Sequence, residues 1–188
     1  LFLDPITNFM KSGKEFFSFA IGVQAIIWGL VTFFLGILID KLGPQKVLAF
    51  GIISYSSGIF LMSNPTSEFV LFSATTLMGF GLGGAGMATM VSIAGKVAPV
   101  NKRSLAMGLV AAAASFGQFA VVLPTMWMNK EFGWEVSLVV LASISISLLL
   151  LLPLLNSTNE KNSNVQDFGN SLQQTIMFSL KERNYILL

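Results

Sequence analysis

The chain has 188 residues with a formal net charge of +2; 54% of its residues are hydrophobic and only 11% are charged. An ordinary soluble domain carries about 25% charged residues, so this composition, with a mean hydropathy of +0.75, excludes a water-soluble globule and describes an integral membrane protein. Cys and His are both absent, which excludes thiolate metal sites and disulfide frames. The small charge, with no basic cluster, excludes nucleic acid as a partner.

In chain order, Leu1, Phe2, Leu3, Asp4, Pro5 and Ile6 read as the last turn of a severed span, and residues 1–15 as that end plus an outer loop. Five uncharged runs follow, 16–39, 47–62, 69–95, 104–129 and 136–155. About 20 residues at ~1.5 Å each cross the hydrocarbon core, so each is expected to be a transmembrane helix. The second run is short and is expected to extend back through Gly43 or on into Ser63, Asn64 and Pro65. Residues 156–188 begin rich in Asn and Ser, as a flexible linker does, and end as though another apolar run were starting. The expected class is an all-α membrane protein.

Lys and Arg counts set the orientation. Lys41, Lys46, Lys96, Lys102, Arg103, Lys161, Lys181 and Arg183 lie on one side; Lys11, Lys14 and Lys130 lie on the other. The richer side is expected to face the cytoplasm, in a cell or inner membrane. Trp127 and Trp134 flank the Lys130 loop, as an aromatic belt on the outer face would.

The junction between the first two runs is electrostatically awkward. Asp40 closes a helix, where the dipole is negative, and Lys46 opens the next, where it is positive. Such charges need compensation from elsewhere in the protein. Gly43 and Pro44 in turn fit a helix stop followed by a helix start.

Gly36, Leu38, Asp40, Lys41, Gly43 and Lys46 resemble the loop between the second and third helices of the major facilitator superfamily, with Gln45 where that family usually has a basic residue. The resemblance implies the amino-terminal half of a two-half transporter. The five runs would be helices two to six, with a cytoplasmic linker and a missing carboxy-terminal half. It also implies that Asp40 meets the positive end of a helix in that other half in one conformation only. Lys102, Arg103, Leu105, Ala106 and Gly108, with Ala112 and Gly117, resemble the fifth-helix signature of monocarboxylate porters, and the oxalate/formate antiporter branch is similar over this stretch. That implies a small-molecule substrate of organic-anion class. Whether a proton or a counter-anion is coupled is not fixed by these residues. Thr75 stands where the superfamily often carries an Arg before Gly79-Phe80-Gly81, and Gly117-Gln118 with Pro124 departs from the drug/proton antiporter pattern.

Gly79, Gly81, Gly83, Gly84 and Gly86 crowd one helix, at ~1 kcal/mol each against Ala. They suit close helix crossing or a bendable helix beside a cavity. An amide in hydrocarbon costs several kcal/mol unless paired, so Gln24 and Gln118, with Ser115, are the candidates for a substrate-facing cavity, an interhelical bond being the alternative for Gln118. Ser143, Ser145 and Ser147 are expected to bond carbonyls one turn back. The small residues of the fifth run, Ala106, Gly108, Ala111, Ala112, Ala113, Ala114 and Gly117, are expected to admit neighbouring helices closely. No nucleophile–base pair points to an enzyme, and nothing calls for a cofactor. Transport of another solute, or a membrane sensor on the same scaffold, are the alternatives.

Overall fold

The computed structural model describes residues 2–10 and 13–158. Among them every regular element is helical: α1 (Leu3–Met10), α2 (Lys14–Leu42), α3 (Pro44–Met62), α4 (Glu68–Ala85), α5 (Met87–Val97), α6 (Arg103–Phe132) and α7 (Trp134–Ser147). Short 3-10 segments precede α6 (Val100–Lys102) and follow α7 (Leu148–Thr158). Five helical stretches are long and apolar enough to cross a membrane, α4 and α5 together making one of them. The linker reading from 156 onward lies almost wholly outside the described residues.

The helix ends follow local chemistry. Gly43 sits at φ +82°, and its N–H donates to the Ile39 carbonyl at 2.9 Å. That left-handed region suits a residue without Cβ, and Pro44 then supplies a pre-set φ at the first position of α3. Of the two extensions open to the second run, the backward one is taken. At the other end of the hairpin, the Ser67 hydroxyl accepts from the Val70 N–H at 3.3 Å and caps α4, with Glu68 in its first turn. The last apolar run tightens from α-helix into a 3-10 helix at Leu148, which hydropathy alone does not register.

The bundle is built around α4, which packs mainly against α3 on one side and α2 on the other. Since α2, α3 and α4 are joined by short turns, α2 and α4 run the same way. One apolar cluster lies at the Ser63 end, from Ile6, Ile59, Met62, Leu71, Ala74, Leu138 and Ala142. Another lies at the Gly43 end, from Ile39, Val47, Leu48, Ile52, Ile93 and Leu152. α6 is the least covered helix, with Leu105, Leu109, Phe116, Phe119 and Leu123 all more than half exposed. In water such a face would be untenable. Lipid or further helices cover it at no such penalty.

Candidate functional site

At the Gly43 junction, α2 continues through Leu42, so Asp40 and Lys41 belong to its last helical turn and not to a loop. The Asp40 carboxylate lies outside the described atoms. Gly36 lies in the same helix, while Lys41 and Lys46 are exposed on either side of the turn. Gln45, at the position where the resemblance leads one to expect a cation, donates from Nε2 to the Leu152 carbonyl at 3.4 Å. This amide ties the turn to the end of the last span. A longer basic side chain there would instead extend toward the polar boundary.

The glycine run serves close helix crossing, and the helix is interrupted at its end. A Cβ on Gly84 would fall 2.6 Å from Gly51 Cα, and one on Gly81 would fall 2.5 Å from the Tyr55 backbone, so α3 and α4 touch main chain to main chain. Gly79 and Gly83 face α2 instead, against Gln24, Ile27 and Val31. At Gly86 the helix breaks: its ψ is 175° and α5 begins at Met87. The Thr89 hydroxyl bridges the interruption by donating to the Gly83 carbonyl at 2.6 Å. α4 packs on α2 and α3, whereas α5 packs chiefly on α6. The break therefore separates two sets of neighbours, and uniform apolarity of the run conceals it.

The fifth-run signature lies at and along α6. Lys102 ends the 3-10 turn, Arg103 begins the helix, and both are exposed. Leu105 is exposed and Ala106 is half-buried. At Gly108 and Gly117 an added Cβ would meet nothing within 4 Å. Among the described residues, then, these small positions admit no neighbouring helix. On the side toward α5, Met107 lies over Gly95.

The cavity candidates are not brought together. Gln118 and Ser115 are exposed on α6, and Ser115 donates to the Ala111 carbonyl at 3.2 Å. Gln24 lies on α2, half-buried, its Oε1 enclosed without a hydrogen-bond partner. Ser143 and Ser147 bond carbonyls within their own helix, at 2.8 and 2.6 Å. A groove of about 430 Å³ runs between α3 and α7, lined by Ser56, Ser57, Phe60, Leu61, Ala142, Ser143 and Ile146. None of Gln24, Ser115 and Gln118 lines it. Missed by sequence reasoning was Thr76, whose Oγ1 is also enclosed without a partner.

Near the Lys14 end, Asp4 pairs with Lys14 at 2.6 Å on the surface. The Lys14 hydrogen bond and charge hold the Asp4 carboxyl below the usual carboxylate range. Phe9 meets Trp134 edge-on at 5.5 Å, joining α1 to α7. Among the described residues, no group of three or more His, Cys, Asp or Glu side chains is placed to hold a metal ion.

Long apolar helices, exposed apolar faces and a Gly-paired crossing define an all-helical integral membrane protein. The chain belongs to the Major Facilitator Superfamily, which matches it over residues 4–187. It is similar to the vesicular acetylcholine transporter of Drosophila melanogaster, 32% identical over 152 residues, 77% of this chain and 26% of that protein. It is also similar to the agnestins efflux protein AgnL12 of Paecilomyces divaricatus, 28% identical over 127 residues, 66% of this chain and 27% of that one. The chain thus spans about a quarter of the length of these relatives. No solved structure matches it.

Proposed function

We propose that this chain is the amino-terminal portion of a secondary transporter that moves a small organic solute by alternating access. The observation that carries the reading is a family match across nearly the whole chain, on a five-span bundle with the Gly43 junction intact. In this reading residues 1–15 are the end of a first helix and its loop. Residues 16–155 carry helices two to six, and 156–188 are a cytoplasmic linker to a second half. Asp40, at the wrong end of a helix dipole, would be neutralised by that half when the cytoplasmic side is shut and released when it opens. The open small-residue face of α6 is where helices of the second half would approach. Enzyme chemistry is no part of the role.

The finer assignment, an organic anion of monocarboxylate type, rests on Lys102, Arg103, Leu105, Ala106 and Gly108. Gln24, Ser115 and Gln118 are its proposed cavity contacts, with a proton or a counter-anion as the coupling partner. A second reading, a solute of another class, is favoured by a specific feature. No span in this chain holds a Lys or Arg within its apolar run, and one relative is named for acetylcholine and the other for agnestins efflux. Uptake by the full-length protein of labelled monocarboxylates against a neutral sugar and a quaternary amine separates the two. Saturable monocarboxylate uptake, blocked by unlabelled competitor, is expected under the first. Uptake of another solute alone refutes it.

A further inference from the structure

The seam between α2 and α4 is a run of matched positions. Ile27 and the Gln24 carbonyl meet Gly79, and Val31 meets Gly83. One level outward, the Phe19 and Phe72 rings lie roughly parallel, 6.5 Å apart. On α4 the positions 72, 76, 79 and 83 follow steps of four, three and four, one stripe of a helix. On α2, Ala20, Gln24, Ile27 and Val31 follow the same steps. With the two helices running the same way, the matches 27 to 79 and 31 to 83 bring Gln24 opposite Thr76.

At that level the seam carries an unpaired set of polar atoms. Gln24 Oε1 and Thr76 Oγ1 are both enclosed, and neither has a hydrogen-bond partner. On the same two helices Thr32 is satisfied by the Trp28 carbonyl and Ser73 by the Phe69 carbonyl. Thr76 departs from that habit, and the Phe72 carbonyl one turn before it already accepts from Thr75 at 2.9 Å. Inside a membrane no bulk water makes up the difference, and enclosed polar groups are nearly always paired. Two such groups at one level of the same seam are most simply satisfied by one guest.

We propose that Gln24 and Thr76 form a binding site for a single hydroxyl group, which donates to Gln24 Oε1 and accepts the Thr76 hydroxyl proton. Its source is an ordered water or a hydroxyl of the transported solute; the second source rests on the transport reading above. The site is distinct from the groove between α3 and α7. It lies where Gly79 and Gly83 hold the two helices together, so an unpaired polar group there acts directly on their packing.

A double-mutant cycle on the full-length protein in detergent, read by thermal unfolding, tests the site without reference to transport. Gln24→Leu and Thr76→Val are each expected to lower the midpoint, because each leaves the guest and the other partner half-satisfied. Thr76→Ser, which keeps the hydroxyl, is expected to hold the wild-type midpoint. The double variant is expected to be no less stable than the worse single, since the guest leaves with both partners. Strictly additive losses overturn the proposal. So does a density map in which the Gln24 amide bonds Thr76 directly with nothing between. Density within hydrogen-bond distance of both side chains supports it. If that density persists without solute and Thr76→Val leaves KM unchanged, the hydroxyl is water. If it appears only with solute and Thr76→Val raises KM about tenfold, it is the solute's.

Discussion

Replacing Gly84 by Ala probes the helix crossing on which the bundle rests. An added Cβ would sit 2.6 Å from Gly51 Cα and 3.1 Å from its nitrogen. Both are backbone atoms, so no rotamer change relieves the overlap, and α3 and α4 must separate. Overpacking of this kind costs about 1–3 kcal/mol, which lowers the folded-to-unfolded ratio about 5- to 150-fold. The midpoint loss per kcal/mol shrinks with chain length, from roughly 2–4 °C at 150–250 residues. The longer full-length protein is therefore expected to show a smaller but measurable fall, below about 12 °C. Thermal unfolding of the full-length protein in detergent, followed by tryptophan fluorescence, reads it. Gly51→Ala should produce a loss of similar size, because it attacks the same contact from the other side. The two together should lose less than the sum, since helices already parted by one methyl admit the second more easily. An unchanged midpoint in either single variant refutes the close crossing.

Other outcomes follow from the same geometry. Thr89→Val removes the hydroxyl that bridges the Gly86 break and should cost about 0.5–1.5 kcal/mol, seen as faster hydrogen exchange at the first amides of α5; unchanged exchange would dismiss the bridge. Gly43→Ala forces a Cβ into φ +82° and should destabilise by about 1 kcal/mol or more, whereas Ala at Gly22, with open space around it, should stay within about 0.5 kcal/mol. The Asp4 pKa is lowered by Lys14, so what little stability the pair contributes is present above the unfolded carboxyl pKa and lost as pH falls through the lower folded one. Lys14→Met should move the Asp4 titration back up, as read by NMR.

The spans were legible in the sequence because uncharged runs of 16–27 residues leave a chain little alternative in a bilayer. Gly43 and Pro44 were equally legible, since each forces a local backbone outcome. Gly86 was not. Five glycines in eight residues suit tight packing and bending alike, and only the neighbours decide which applies where: Gly51 and Tyr55 claim Gly84 and Gly81, while the break falls at Gly86. On α6 the small residues read as a close-packing face, yet Gly108 and Gly117 meet open space. Sequence shows that such a face can approach a helix but not which helix it meets. Gln24 stood out because an amide in hydrocarbon must find a partner. Thr76 did not, because a helical hydroxyl usually satisfies itself.

Solute uptake into proteoliposomes by the full-length protein, wild type against Asp40→Asn, tests the transport account most directly. Uptake above protein-free vesicles is expected, with turnover cut at least tenfold in the variant at equal insertion. Equal uptake by both proteins would contradict the role given to Asp40, and no uptake by correctly inserted wild-type protein across the solute panel would contradict transport itself.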